Sequence, residues 1–455
     1  MAANQKAAGL DTGRLIPTYF HLALPVVVGS IITIIYNLAD TYFIAQTNNA
    51  KLVAGVSVCS PLFMILMAFG NIFGQGGSSL ISRLLGGKST DEAGRVSAFC
   101  FYAALAAGAV VGGLMLLLRD PLLGLLGASP ETLPFAREYG TVLLLGGPLI
   151  VVNFIHMNLL RCEGMSGLSM AGTAVGSVVN VILDPLMIPS MGAAGAAAAT
   201  VIGYLCSDLF LLLIVLRKSS VLTIRPEIRI PAAQARSIIA VGLSAAVTNL
   251  ASSLCIMMIN QQLLPFGDDK IAAMGIVLKV SMIVNMIMIG FSFGGIPLFG
   301  FLIGSGQKEK LRQLLRFCLS FLCILALLVS AVVMLAAKPL ISMITPDAAL
   351  TETAVPMLRW QTAGCVFAGI VMLLTCLFQA SGKAVPAMAL SLSRQGIIFI
   401  LVLLTAVQIA GYQGILASQF AADVISAALA LALYTALNRL GKQDSSPHAT
   451  DRPAG

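Results

Sequence analysis

Four acidic side chains lie inside long apolar runs of this sequence, where a carboxylate is costly. Of 19 acidic residues, only Asp40, Asp184, Asp208 and Asp423 are placed within such runs rather than at their ends or in loops. A carboxylate at the centre of a bilayer costs roughly 2.5–3.5 kcal/mol on insertion scales. Because such residues usually face a cavity or a partner, these four are candidates for ion binding.

Asp40 and Asp184 are the most promising pair. Each lies toward the end of an apolar run, and the two runs are predicted to cross the membrane in the same direction, so both carboxylates share its periplasmic half. Residues three or four apart lie on one face of a helix. Thr200, in the apolar run after the one that carries Asp184, lies about 12 Å from the outer end of its run, which is the same depth. The side chains predicted beside the pair are Tyr36, Asn37, Asn180 and Thr200.

Two carboxylates with amide and hydroxyl oxygens fit two kinds of coupling site. Hard cations prefer oxygen ligands, which favours a Na⁺ site at Asp40, Asn180, Asp184 and Thr200. Burial beside a like charge favours the protonated carboxyl, which would make a proton site. The sequence leaves both open. A third interpretation is that each aspartate only forms a hydrogen bond across a helix interface.

Three further ionisable residues are secondary candidates. Asp208 and Asp423 lie in comparable places in the predicted sixth and twelfth spans, toward the cytoplasmic half, where a structural or vestibule-lining role is favoured over ion binding. Lys279 falls in the middle of the predicted eighth span. A buried lysine there would be a proton carrier, a counter-ion or one partner of a structural ion pair.

The elements that carry these residues are predicted to be membrane-spanning helices. The chain has 455 residues, of which 58% are hydrophobic and 10% charged, and its mean hydropathy is +0.95. Soluble proteins carry about 25% charged residues. The apolar runs are about 20 residues or longer, which indicates helices rather than barrel strands. We therefore predict an all-α polytopic membrane protein with twelve spans.

The spans divide into two related halves. Shifting the first half by 218 residues aligns Gly76 with Gly294 and Gly164 with Gly382. The predicted domains are an amino-terminal lobe at 1–216, a cytoplasmic linker at 217–236, a carboxy-terminal lobe at 237–440 and a disordered cytoplasmic tail at 441–455. Lys and Arg collect on the side of both termini, which places the termini in the cytoplasm. Two parallel six-span repeats suit a transporter with a central cavity.

Several other classes of function are disfavoured. The net charge of +8 is explained by Lys and Arg kept on the cytoplasmic side and does not indicate a nucleic-acid partner. The GGKST segment at 86–90 has Ser82 where a phosphate-binding loop needs Gly and no preceding strand, so ATP binding is rejected. The nine cysteines show no metal-binding spacing. We expect no enzyme activity and no cofactor beyond a coupling ion.

Several stretches resemble the multidrug and toxic compound extrusion (MATE) family, in particular its bacterial branch of DinF-like and MepA-like exporters. They are YNLADTYFIA at 36–45, GQGGSSLISRLLGGK at 74–88, LLRCEGMSGLSMAGTAVGSVVNVILDPLMI at 159–188, GAAGAAAATVIG at 192–203 and GGIPLFGFLIGSG at 294–306. With the twelve-span plan, the resemblance covers nearly the whole chain to about residue 440.

The resemblance implies a V-shaped pair of six-helix lobes that exports cationic or amphipathic compounds in exchange for H⁺ or Na⁺. It also implies that Asp40, Asn180, Asp184 and Thr200 bind the cation or proton, with Tyr36 nearby. Pro25, which interrupts the hydrogen-bond ladder of the first span, is implied to mark where that span bends when its aspartate is protonated. The resemblance further implies a monomer in the bacterial inner membrane, with lipids and small molecules as its partners.

The sequence also departs from the family. Some members carry one acid in the seventh span and one in the tenth, and both are missing here, so a carboxy-lobe Na⁺ site is disfavoured. Leu302 stands where the second-half motif has Asn. The alternative function is a flippase of a lipid-linked or polyprenyl substrate. Its pyrophosphate cargo would call for several intramembrane cations, whereas Lys279 is the only one predicted in mid-span.

Overall fold

The computed structural model describes residues 10–226, 229–345 and 347–443, and within these ranges the chain is helical without a β-strand. The amino-terminal half begins with α1 and ends with α8, a helix of 53 residues. Its helices are α1 (Leu15–Ala45), α2 (Ala50–Val58), α3 (Ser60–Gly86), α4 (Thr90–Leu117), α5 (Arg119–Leu125), α6 (Leu133–Leu145), α7 (Gly147–Cys162) and α8 (Ser166–Lys218).

The carboxy-terminal half repeats this order of long and short helices. A 3-10 turn, Leu264–Phe266, follows its first helix. Its α-helices are α9 (Ala232–Leu263), α10 (Asp268–Gly294), α11 (Ile296–Gly304), α12 (Lys308–Leu335), α13 (Ala337–Ser342), α14 (Ala348–Ala363), α15 (Cys365–Ala380), α16 (Ala384–Arg394) and α17 (Ile397–Gln443).

Eight helical segments of the described chain are long and apolar enough to cross a membrane, and two bent pairs raise the number to ten. The pair α6 and α7 is bent by 52°, and the pair α14 and α15 by 43°. Helix α8 would measure about 80 Å if it were straight, far more than the roughly 30 Å of bilayer hydrocarbon. Inside it, Gly192 has non-helical angles (φ 58°, ψ −131°), and inside α17 Gly411 has nearly the same ones (φ 54°, ψ −128°).

The chain reverses direction at Gly192. Beyond it, Gly203 packs so closely on Gly176 that an added Cβ would lie 2.8 Å from the Gly176 carbonyl oxygen. The part of α8 after Gly192 therefore runs back along the part before it. Counting α8 and α17 as two spans each gives the twelve spans predicted from the sequence, and the predicted fold class is confirmed.

The two halves share backbone features that only a structural repeat explains. Positive φ angles recur 218 residues apart, at Lys88 (64°) and Gly306 (68°), and at Gly164 (76°) and Gly382 (75°). Each lies in the turn that leaves a span. An ordinary side chain is strained in this conformation, so glycine is preferred there. The backbone conformation of these turns therefore repeats along with the spans.

The predicted linker at 217–236 is shorter in the structure, because α8 continues to Lys218 and α9 begins at Ala232. Its first part is held on the amino-terminal half, where the Glu163 carboxylate accepts hydrogen bonds from the backbone of Ser220 (3.1 Å) and Val221 (2.9 Å). The predicted tail at 441–455 is wrong at its start, since 441–443 close α17. The remainder of that tail lies outside the described residues.

The two halves touch backbone to backbone at glycines. An added Cβ on Gly76 would lie 2.1 Å from the carbonyl oxygen of Ile238, and one on Gly242 would lie 1.9 Å from that of Ile72. Arg83 reaches across the same interface, and its Nη1 donates to the carbonyl oxygen of Ser381 at 3.3 Å. All of these contacts lie toward the end of the bundle where the Lys- and Arg-rich connecting segments are. The closest backbone contacts between the halves therefore lie at that end, while Ser253 and Met64 also touch across the interface further along α3 and α9.

The close glycine contacts give a first testable prediction. Changing Gly242 to Leu should lower the stability of the purified protein by about 1–3 kcal/mol, because the new side chain overpacks α3 against α9. Gly275 on α10 is the matched control, since an added Cβ there meets nothing within 4 Å. Thermal unfolding in detergent compares Gly242→Leu with Gly275→Leu. Equal midpoints for the two variants would mean that the halves do not meet at Gly242.

Candidate functional site

Asp40 and Asp184 are brought together by the packing of α1 against the first arm of α8. Asp184 is fully buried, and Asp40 is partly buried. Their carboxylates lie within electrostatic reach of each other. In the described part of the chain, the Oδ1 atom of Asp40 is buried without a hydrogen-bond partner. One carboxylate oxygen of the pair is therefore free to bind a proton or a cation.

Asn180 and Thr200 complete this layer. Asn180 precedes Asp184 by one helical turn, and the reversal at Gly192 brings Thr200 across from the second arm of α8. The Nδ2 atom of Asn180 lies 3.4 Å from Asp184 Oδ1 and 3.4 Å from Thr200 Oγ1. With the amide turned over, Nδ2 donates to Asp184 Oδ2 at 3.2 Å, and Oδ1 accepts from the Thr200 backbone N–H at 3.1 Å. Both side chains are buried.

Three tyrosines surround the layer, and the sequence had indicated only one of them. Tyr36 lies within electrostatic reach of Asp40 and Asp184, as predicted, and so does Tyr139 of α6. Tyr204 lies near both Tyr36 and Tyr139. Tyr204 follows Thr200 by one turn, a spacing that would have predicted it. Tyr139 comes from another helix and had no such signal.

Two of the predicted residues stand apart from the layer. Asn37 is exposed, and its backbone carbonyl accepts a hydrogen bond from Thr41 at 2.8 Å. Pro25 lies inside α1, about four turns before Asp40. It lines a separate cavity rather than the carboxylate layer.

Asp208 lies in the second arm of α8, one turn beyond Tyr204. The Asn153 side chain of α7 donates to Asp208 Oδ1 at 2.9 Å and to Ser207 Oγ at 2.8 Å. Asp208 is buried, and Tyr204 lies within its electrostatic reach. Tyr204 thus stands between this carboxylate and the layer of Asp40. The Oδ2 atom of Asp208 is buried without a hydrogen-bond partner in the described part of the chain. The structural role that the sequence favoured for Asp208 therefore stays a prediction.

Asp423 forms a buried ion pair that the sequence did not indicate. Arg394 donates through Nε to Asp423 Oδ1 at 2.9 Å, and the Gln419 amide donates to the same oxygen at 3.1 Å. The side chains of Arg394 and Asp423 are only 10% and 3% exposed. Arg394 is the last residue of α16. Its position at a break inside the span places it in the protein interior.

Lys279 is exposed rather than packed among the described helices. It precedes Gly290 by about three helical turns, and Gly290 packs on Val27 of α1. Lys279 therefore shares the face of α10 that turns toward the amino-terminal lobe. Its role as a proton carrier, a counter-ion or a member of an ion pair stays a prediction.

The carboxy-terminal half lacks an equivalent of the carboxylate layer at the corresponding described positions. When the two halves are aligned on their turns at Gly192 and Gly411, Asn180 corresponds to Phe399 and Asp184 to Leu403. Both of these hydrophobic side chains are fully buried. Among the described residues, no cluster of three His, Cys, Asp or Glu side chains is placed to hold a metal ion.

Comparison with known proteins agrees with this plan. The sequence pattern of the MatE family matches residues 25–186 and again 244–405, one match in each half. The chain is 28% identical over 434 residues to the multidrug export protein MepA of Staphylococcus haemolyticus, covering 94% of this chain and 96% of that one. It is 28% identical over 424 residues to MepA of Staphylococcus aureus strain NCTC 8325, covering 92% and 94%.

Solved structures share the fold. A MATE family multidrug resistance transporter in an outward-facing conformation superposes with a TM-score of 0.89 at 24% identity, covering 95% of this chain and 98% of that one. A mutant of the Vibrio cholerae MATE transporter VcmN gives a TM-score of 0.89 at 22% identity, covering 94% and 98%. Because the family pattern covers well over half of the sequence and occurs once in each lobe, this chain belongs to the MatE family of membrane transporters.

Proposed function

We propose that this protein is a secondary active antiporter that exports cationic or amphipathic compounds in exchange for H⁺ or Na⁺. The curated relatives are named multidrug export proteins, which supports small-molecule cargo. The observation that carries the proposal is the pair of buried Asp184 and partly buried Asp40 in the amino-terminal lobe, with an unpartnered carboxylate oxygen on Asp40 in the described part of the chain. The coupling ion is the only cofactor proposed, and the protein acts as a monomer among lipids.

The residues present suit either ion. For Na⁺, Asp40, Asp184, Asn180 and Thr200 offer carboxylate, amide and hydroxyl oxygens, which hard cations prefer. For H⁺, two neighbouring carboxylates in a buried site hold one proton readily, since both cannot be charged without a large cost. In either case one bound cation cancels one of the two negative charges that the layer can carry. The electrostatic attraction of a positively charged drug to the site is then weaker, and the drug leaves.

Alternating access follows from the way the lobes meet. The glycine contacts and Arg83 close the bundle at the end with the basic connections, which the positive-inside rule assigns to the cytoplasm. The described arrangement then corresponds to an outward-facing state, in which the layer takes its cation from the periplasm. Rocking of the two lobes would break these contacts and open the cytoplasmic side. The proposed location is the bacterial inner membrane, with both termini in the cytoplasm.

The flippase alternative is less well supported by the charges in the bundle. Pyrophosphate cargo requires unpaired cations in the central cavity. Arg394 is neutralised by Asp423, and Arg83 is engaged at the closed interface between the lobes. Arg161 lines a separate cavity of the amino-terminal lobe, and the exposed Lys279 is a single cation where several are needed. A carboxylate pair would also repel such cargo.

Imposed gradients in proteoliposomes identify the coupling ion. One charge moving through 100 mV supplies about 2.3 kcal/mol, enough for roughly a fiftyfold drug gradient at 1.4 kcal/mol per decade. We expect transport of a fluorescent lipophilic cation to follow one imposed gradient, of protons or of Na⁺, and to stop when that gradient is dissipated. Transport that ignores both gradients would contradict the antiport proposal.

A further inference from the structure

A cavity with both polar and apolar walls lies in the amino-terminal lobe, away from the carboxylate layer. It opens between α1, α7 and the start of α8, and its walls include Pro25, Gly29, Arg161, Ser166 and Thr173. The space open to the centres of water molecules is about 60 Å³. One water needs roughly 10–15 Å³ by this measure. The cavity therefore has room for a small ion with a few waters.

Two polar groups in the cavity wall are buried without a partner in the described part of the chain. They are the Nε atom of Arg161 and the hydroxyl of Ser166, and Ser166 is only 1% exposed. Buried polar atoms in native proteins nearly always have a partner, which is a protein group, a water or an ion. Arg161 carries only hydrogen-bond donors, and the Ser166 hydroxyl can donate. The missing partner must therefore accept hydrogen bonds.

The charge around the cavity favours an anion over water alone. The named lining residues include no carboxylate. Glu163 is close in sequence, but its carboxylate accepts hydrogen bonds from Ser219, Ser220 and Val221 of the inter-lobe segment. A partly buried guanidinium without a counter-charge is costly.

The backbone adds to this positive field. Ser166 is the first residue of α8, and the first turn of a helix presents unpaired N–H groups and the positive end of the helix dipole. An anion is therefore stabilised at this helix start, and Ser166 and Arg161 both line the cavity there. Thr173 also lines the cavity. Its hydroxyl makes only long contacts, at 3.5 Å to the Ser169 carbonyl oxygen and 3.7 Å to Met157 Sδ, so it can turn toward a ligand.

We infer that this cavity binds one small monovalent anion, of which chloride is the abundant example in cells. The site is separate from the coupling layer, since Pro25 and Asp40 are about 22 Å apart along α1 at 1.5 Å per residue. A bound anion would link the proline segment of α1 to Arg161 at the end of α7 and to the start of α8. Chloride would then stabilise the packing of these three helices without itself being transported.

Chloride binding to the purified full-length protein in detergent tests the inference. Equilibrium dialysis with radioactive chloride should give one bound ion per chain. Thermal unfolding should occur at a higher temperature in sodium chloride than in sodium gluconate of equal ionic strength. Arg161→Gln should weaken chloride binding at least tenfold, and Ser166→Ala should weaken it severalfold. Arg359→Gln, which removes an exposed arginine, is the matched control and should bind chloride like the unmodified protein.

Several results would overturn the inference. No bound chloride in the unmodified protein would do so, as would equal binding by Arg161→Gln and Arg359→Gln. Stabilisation by phosphate or sulfate but not by chloride would also contradict a monovalent anion. If Arg161→Gln does not fold, Ser166→Ala and the unmodified protein still decide the question. Because drug export is not the readout, a failure here leaves the antiport proposal untouched.

Discussion

Asp184→Asn is expected to slow drug export strongly while the protein still reaches the membrane at its normal level. The fully buried Asp184 carboxylate is one half of the coupling layer, and an amide of the same size neither binds a proton nor supplies a charged ligand. Hydrogen bonds to charged groups are worth roughly 1.5–3 kcal/mol, and each 1.4 kcal/mol is tenfold. The initial export rate should therefore fall by about ten- to a hundredfold.

The measurement is efflux of a fluorescent lipophilic cation from cells that express each variant at equal amounts. Asp40→Asn should fail in the same way, because its unpartnered Oδ1 belongs to the same layer. Asp91→Asn is the matched control, since Asp91 is an exposed aspartate in the first turn of α4. Normal efflux by both Asp40→Asn and Asp184→Asn would rule out coupling in the amino-terminal lobe.

Breaking the buried ion pair of the carboxy-terminal lobe should cause the largest loss of stability. Removing one member of such a pair strands the other charge, which typically costs about 3–5 kcal/mol. Arg394→Leu leaves the Asp423 carboxylate with the Gln419 amide alone. Replacing both charged residues, in Arg394→Leu with Asp423→Leu, should recover much of the loss, because apolar pairs of similar volume are often neutral substitutes.

Thermal unfolding of the purified variants measures this effect. The matched control is Arg312→Leu, which removes an exposed ion pair with Glu309 whose side chains are 49% and 85% exposed. Exposed pairs contribute about 0–1 kcal/mol, so this variant should unfold close to the unmodified protein. If Asp423→Asn kept its stability but lost export, Asp423 would belong to the transport machinery rather than to the scaffold.

The sequence predicted those parts of the site that follow from position along one helix. Asn180 and Asp184 are one turn apart, so their common face could be read directly. The depth of Thr200 followed from where the next span begins. The twelve spans were also predictable, because apolar runs of that length have few alternatives in lipid.

What the sequence missed depends on contacts between distant segments. Tyr139 reaches the layer from α6, and its surroundings in the sequence carry no sign of this. Arg394 has its partner Asp423 on another helix, so it could not be told apart from a cytoplasmic cation. Hydropathy also could not show that Lys279 is exposed, since it reports an average over all faces of a helix.

The two lobes share a scaffold but differ in chemistry. The turns at Gly192 and Gly411 are nearly identical in backbone angles. Buried Phe399 and Leu403 nevertheless replace Asn180 and Asp184 in the second lobe. The proposed consequence is that the amino-terminal lobe holds the coupling cation, while the carboxy-terminal lobe shapes the drug path.

Ion movement driven by the drug tests the central proposal most directly. In proteoliposomes without an imposed ion gradient, adding a gradient of a lipophilic cation should drive protons or Na⁺ in the opposite direction, recorded by an internal pH dye or a Na⁺ dye. The unmodified protein should show this counter-movement, and Asp40→Asn should show none. Drug movement without any ion counter-movement, or counter-movement that persists in Asp40→Asn, would contradict antiport at this carboxylate layer.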